Sequence, residues 1–168
     1  MKKLLILLTL LHAFSAIVFS QSTPANPQQD AAGEKIILNK DDLKWVDGPP
    51  SLPAGAKVAV LAGDPSKAGV FTLRLKFPAN YKIPAHTHSS TENVAVMQGT
   101  VYVGSGEKLN EAGATAVSTG GFCSIPGRSP HYAFTKEETI IQVQAEGPFV
   151  VTYMNQADDP AKAGAKKQ

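Results

Sequence analysis

Val70 to Phe77 alternates without a break. Phe71, Leu73, Leu75 and Phe77 share one parity, and Thr72, Arg74 and Lys76 share the other. A period of two predicts a half-buried strand. Thr139 to Ala145 repeats the pattern, with Ile141, Val143 and Ala145 opposing Gln142 and Gln144. Shorter apolar runs read as further strands: Lys35–Leu38, Leu43–Val46, Lys57–Ala62, Thr100–Val103, Phe122–Ile125, His131–Phe134 and Phe149–Met154. Between them stand turn residues such as Gly48-Pro49-Pro50, Gly63-Asp64-Pro65, Pro78-Ala79-Asn80 and Pro126-Gly127. Val94 and Val96 continue the face of Glu92, with Ala95 and Met97 opposite. Thr100–Val103 is expected to fold back on that strand as a hairpin about Gly99. Glu107–Ala114 is the one stretch that could form a helix, and it is short. Many short strands of this kind predict an all-β sandwich or barrel.

The ends of the chain read differently. Lys2 and Lys3 precede an almost wholly apolar run from Leu4 to Phe19, with small residues near Ser20. That is the layout of a secretory signal peptide over residues 1–20, cleaved before Gln21. An uncleaved membrane anchor is the competing reading, since the run approaches spanning length. Both readings put the folded part on the exported side, periplasmic or secreted. Residues 21–34 are rich in Gln, Ala, Pro and Ser without apolar periodicity, and read as a flexible linker. Residues 158–168 read as a flexible tail, leaving 35–157 for one barrel domain.

Charge changes the picture once the leader is set aside. The chain carries 16 Lys and Arg against 14 Asp and Glu. Losing Lys2 and Lys3 balances the two, so the mature chain is formally neutral. It offers no basic patch for nucleic acid, and no membrane contact once the leader is gone. The partner expected is a small molecule, with pairing to a second copy left open. Cys123 is the single cysteine. The fold therefore needs no intrachain disulfide, and Cys123 reads as a small buried hydrophobe rather than a ligand.

The candidate chemistry lies in His86-Thr-His88-Ser-Ser-Thr-Glu92. On an extended segment, residues of equal parity point to one face, so two imidazoles and a carboxylate can converge. A third imidazole, His131, follows in a second segment. His12, the fourth histidine, lies in the leader. Nitrogen and oxygen donors without thiolate suit a divalent transition metal: Mn, Fe, Ni, Cu or Zn.

Together these segments resemble the cupins. That family carries G-x5-H-x-H-x3-E-x6-G followed by G-x5-P-x-G-x2-H-x3-N. His86, His88, Glu92 and Gly99 match the first motif at its spacing, and Gly120, Pro126 and His131 match the second. Asn80, Arg128 and Thr135 replace a Gly, a Gly and an Asn of the motifs. Gly127 precedes Arg128, which raises the option of a turn shifted by one residue. The resemblance covers roughly residues 57–153 and implies a double-stranded β-helix, the jelly-roll barrel, with at most one short helix. It also implies that His86, His88, Glu92 and His131 are metal ligands.

Three functional classes follow from the resemblance. One is a metal-dependent enzyme, of dioxygenase or isomerase type, acting on a small molecule. The second is a module that binds a small molecule without turning it over. The third is a sensor like the cupin part of a zinc-containing anti-sigma factor, a reading weakened by the expected export and by residues 21–34, which hold no Cys or His for a zinc segment before the barrel. Tyr102, Tyr132, Gln142 and Gln144 are candidate acid, base or polar groups near the metal. Arg128 is a candidate rim contact for an anion.

Overall fold

A computed structural model describes residues 35–163. The leader at 1–20, the linker at 21–34 and the tail beyond residue 163 lie outside the described residues. Eleven strands and one short helix follow in chain order. They are β1 Val46–Asp47, β2 Lys57–Ala62, β3 Gly69–Phe77, β4 Lys82–His88, β5 Glu92–Gln98 and β6 Thr100–Ser105. After them come β7 Thr115–Ser118, β8 Phe122–Ile125, β9 His131–Thr135, β10 Thr139–Gly147, β11 Val151–Tyr153 and α1 Pro160–Ala163. The strands form two antiparallel sheets, ordered β1-β2-β3-β10-β5-β8 and β11-β4-β9-β6-β7. This is the jelly-roll arrangement expected from the sequence.

The two alternating strands lie side by side at the middle of the first sheet. β10 pairs with β3 from Thr139↔Phe77 to Gly147↔Gly69. Their shared parity stacks Ile141 against Leu75 and Val143 against Leu73 on the inner face. Phe71 is 0% exposed and Phe77 1%. Each such side chain contributes roughly 1.5–3 kcal/mol when fully buried.

Several expectations need correction. Lys35–Leu38 forms no strand, and Ile36, Ile37 and Leu38 are all exposed. Of Leu43–Val46 only Val46 enters a strand. The expected hairpin between β5 and β6 does not form. β5 pairs with β10 and β8, whereas β6 pairs with β7 and β9 in the other sheet. Gly99 joins the two sheets at φ +72°, where a side chain would also meet Glu138 and Thr139. Glu107–Ala114 contributes one 3-10 turn, Glu111–Gly113, capped by the Asn110 side chain. The short helix falls instead at the start of the expected tail. Asp159 Oδ1 accepts the Ala161 N–H at 3.0 Å, and Pro160 begins the turn without needing a donor.

The three departures from the family motifs each have a structural account. Asn80 sits at φ +59°, a left-handed conformation that Asn tolerates. Arg128 itself sits at φ +63°, so the turn is not shifted onto Gly127. Gly127 is needed for another reason, because a Cβ there would press on the Ser90 backbone. Thr135 is buried, and its hydroxyl donates to Pro78 O at 2.8 Å while accepting Tyr81 N–H at 3.2 Å. It thereby closes the turn before β4. Thr135→Val keeps the shape and strands both backbone groups, so it should cost about 2 kcal/mol. Urea unfolding checks this, and a loss below about 0.5 kcal/mol would remove the turn-closing role.

Candidate metal centre

His86 and His88 reach the barrel interior because β4 changes parity. Ile83 faces the interior at the start of the strand. An uninterrupted alternation from Ile83 would turn both histidines outward. The pairing with β9 shifts register between Ile83 and His86, and Pro84 lies in that break. A proline in a strand interior marks such an irregularity, since it has no N–H for the ladder. One inserted residue moves every later side chain to the opposite face. His86 then lies directly across from His131 on β9. Glu92 begins β5 on the same face as Val94.

The structure brings all four residues together. His86, His88, Glu92 and His131 are 3%, 7%, 8% and 3% exposed. One ring nitrogen from each of the three histidines lies within 4.8 Å of the others. Glu92 Oε2 is 3.5 Å from His88 Nε2 and 3.8 Å from His131 Nε2. His86 Nδ1 is 2.7 Å from Pro84 O, and His131 Nδ1 is 2.9 Å from Ser129 O. A carbonyl only accepts, so each Nδ1 carries the proton and each Nε2 keeps a free lone pair. The ring of His88 stacks on Phe149 at 4.3 Å, and its Nδ1 is buried without a hydrogen-bond partner.

Charge in the cluster follows from burial. Desolvation, then the neighbouring His131 and His88, lower His86 from its ordinary 6.5 to about 3. Desolvation also lowers His131. Burial alone would raise Glu92, but the His88 hydrogen bond and the nearby imidazoles outweigh it and keep the carboxyl below its ordinary range. His86 and His131, held toward the neutral form beside a carboxyl held toward the ionised one, are in the protonation state in which these groups ligate a metal. Three buried histidines in this arrangement could hold a metal ion. The partly unsatisfied His88 and the two pre-set tautomers fit that use.

These shifts carry a pH prediction for the metal-free protein. Unfolded histidine takes a proton below about pH 6.5, whereas folded His86 resists protonation down to about 3. The unfolded state therefore binds more protons in that window, and folding stability falls as pH falls through it. Thermal midpoints should drop progressively between those limits. The drop should be smaller in His86→Gln, and equal slopes in the two proteins would exclude His86 as the cause.

The expected accessory residues lie elsewhere. Tyr102 stacks on Phe134 at 4.8 Å, with Lys136 Nζ 4.6 Å from its ring centre. Tyr132 is buried and donates to Asn110 O at 2.8 Å. Gln142 accepts from Arg74 Nε at 3.2 Å, and Gln144 is exposed. None of the four lines the cavity at the histidines. Arg128 is exposed, and its backbone N–H donates to His88 O at 2.8 Å. Cys123 lies half-buried on β8 outside the cluster, its thiol raised by burial and then by the Glu92 charge. The neighbours that do matter were not singled out from sequence: Phe149 against His88, Tyr153 beside His86, and the carbonyls of Pro84 and Ser129. Pro84 two residues before His86 was the one available signal.

Comparisons with known proteins agree with this architecture. The family described as "Domain of unknown function (DUF4437)" matches residues 17–152. No curated protein matches the chain. Among solved structures, the polyketide cyclase RemF from Streptomyces resistomycificus is 18% identical, with a TM-score of 0.61 over 79% of this chain and 94% of that one. A candidate acetylacetone dioxygenase from Methylibium petroleiphilum is 17% identical, with a TM-score of 0.59 over 80% and 96%. An RmlC-like cupin from Shewanella frigidimarina is 14% identical, with a TM-score of 0.53 over 68% and 91%. At these identities the likeness is one of fold. Motif spacing, jelly-roll topology and family match coincide: the chain belongs to the DUF4437 family and has the cupin fold.

Proposed function

We propose that this chain is an exported, metal-dependent cupin enzyme of dioxygenase or isomerase type, acting on a small molecule. His86, His88, Glu92 and His131 are its metal ligands in this reading. The observation that carries it is the paired tautomer control: Pro84 O and Ser129 O each hold an Nδ1–H, leaving both Nε2 lone pairs free. Metal-ligating histidines characteristically have their other nitrogen held in this way. A divalent transition metal in such a set supplies a Lewis acid or an O2-activating centre with open positions.

The chain's own residues restrict the chemistry. Glu92 is the one carboxylate beside the imidazoles, and neither a lysine nor an arginine lines the cavity. An isomerase needs a group to hold and return a proton. At the imidazole cluster Glu92 and the three imidazoles meet that need, whereas the cavity's other carboxylate, Asp47, is exposed and paired with Lys57. Two proteins of similar fold are named as a polyketide cyclase and a candidate acetylacetone dioxygenase, so the fold accommodates catalysis. The scarcity of acid and base groups favours a second reading, a metal-dependent binding module without turnover.

Elemental analysis of untagged protein decides first. A redox-active metal near one per chain, with oxygen uptake on a panel of catechols, flavonols and β-diketones, supports the enzyme. Zinc without turnover supports the binding module. Less than about a tenth of an equivalent after reconstitution would sink both. Export rests on residues 1–20, and a mature N-terminus at Gln21 in secreted material tests it.

A further inference from the structure

The barrel encloses a cavity of about 390 Å³ that continues from the histidines into the core. Leu73 and Leu75 on β3, Val94 on β5, Val101 on β6, and Ile141 and Val143 on β10 form its walls. Those positions carry no hydrogen-bonding side chain. Polar groups occur at two places only, the histidine cluster and the outer rim. Apart from the cluster these are Asp47, Ser51 and Ser66, and two of the three are already engaged. Asp47 pairs with Lys57 at 2.6 Å and is largely exposed, and Ser66 Oγ donates to Asp64 at 2.7 Å.

From this we infer that the cavity takes a largely hydrocarbon, hydroxyl-poor small molecule, whose single oxygen-bearing end meets the histidine cluster. The inference deepens the proposed function by naming its substrate class, and rests on that reading only for the oxygen-bearing end. The physical ground is desolvation. A hydroxyl placed against these walls loses its water and gains no partner, which weakens binding by roughly tenfold or more per group. Apolar surface placed there gains from leaving water. Pockets of this size bury most of a small ligand, with a few polar groups fixing its orientation. A sugar therefore fits the walls poorly, and an aromatic or aliphatic body with one oxygen end fits well.

Isothermal titration with 2-naphthol and with glucose tests this, on wild type both metal-replete and dialysed against chelator. The expected result is saturable one-to-one binding of 2-naphthol in both forms, at least about a hundredfold tighter than glucose, with a negative heat-capacity change. Val103→Phe narrows the cavity from β6 and should weaken 2-naphthol at least about tenfold. If that variant misfolds, the wild-type comparison still decides. Glucose binding as tightly as 2-naphthol, or no 2-naphthol binding in either form, overturns the inference. The two readings fail separately. A chain that holds no metal but binds 2-naphthol loses only the metal-dependent function. One that holds metal and prefers glucose loses only the substrate class.

Discussion

His86→Ala should lower affinity for a divalent transition metal by about a hundredfold or more, and Glu92→Gln should do so while leaving the fold intact. Loss of a group that merely orients a ligand costs roughly 10- to 100-fold, and loss of a ligand should exceed that. His86 loses a donor whose Nε2 is already freed by the Pro84 carbonyl. Glu92→Gln is the sharper change. It preserves shape and an oxygen, yet removes the negative charge from a buried cluster in which His86 and His131 are held toward neutrality. A divalent cation there loses its charge partner where water cannot compensate. Competition against a chelator of known affinity measures both. Tyr102→Phe and Cys123→Ser serve as controls, since neither residue lies in the cluster, and they should bind metal as wild type does. Wild-type affinity in His86→Ala would remove the ligand assignment and, with it, the support for metal-dependent chemistry.

The sequence carried the long elements because each buries a single face. β3 and β10 are nine residues long, and buried positions recur every second residue from Thr139 to Ala145 and at Phe71, Leu73 and Phe77, with Leu75 half-buried. β7 went unread because Thr115-Ala-Val-Ser packs only Val117 against the core, too little for a visible period. The failed hairpin has a different cause. Periodicity reports which face is buried, not which sheet a strand joins. Gly99 looks like a hairpin turn from sequence, but its φ of +72° sends the chain across to the other sheet. The four site residues were legible because their spacing carries the family motif. Their surroundings were not, because parity counting fails at a bulge. Counting straight through Pro84 would separate Ile83 from His86 by face, whereas both line one cavity. Tyr102, Gln142 and Gln144 were misplaced for the related reason that parity alone does not say which face is inside.

Gly104→Ala should destabilise the barrel by about 2–3 kcal/mol, although it replaces glycine in a strand. Taken alone, the added side chain should help, because glycine weakens a strand interior by about 0.5–1 kcal/mol. The local packing reverses that sign. Gly104 on β6 pairs with Tyr132 on β9, and the Tyr132 ring lies across the glycine where a Cβ would project. An aromatic covering a cross-strand glycine in this way stabilises a sheet. Tyr132 has little room to retreat. It is 2% exposed, and its hydroxyl is held by Asn110 O at 2.8 Å. The methyl must therefore displace a buried ring and its hydrogen bond together. Tyr132→Phe, which loses only the bond, should cost nearer 1 kcal/mol. A double-mutant cycle separates the causes. Once Tyr132 is truncated to Ala the clash disappears, so adding Gly104→Ala to that background should be neutral or stabilising. If Gly104→Ala costs the same with and without the Tyr132 ring, the ring is not what excludes the side chain.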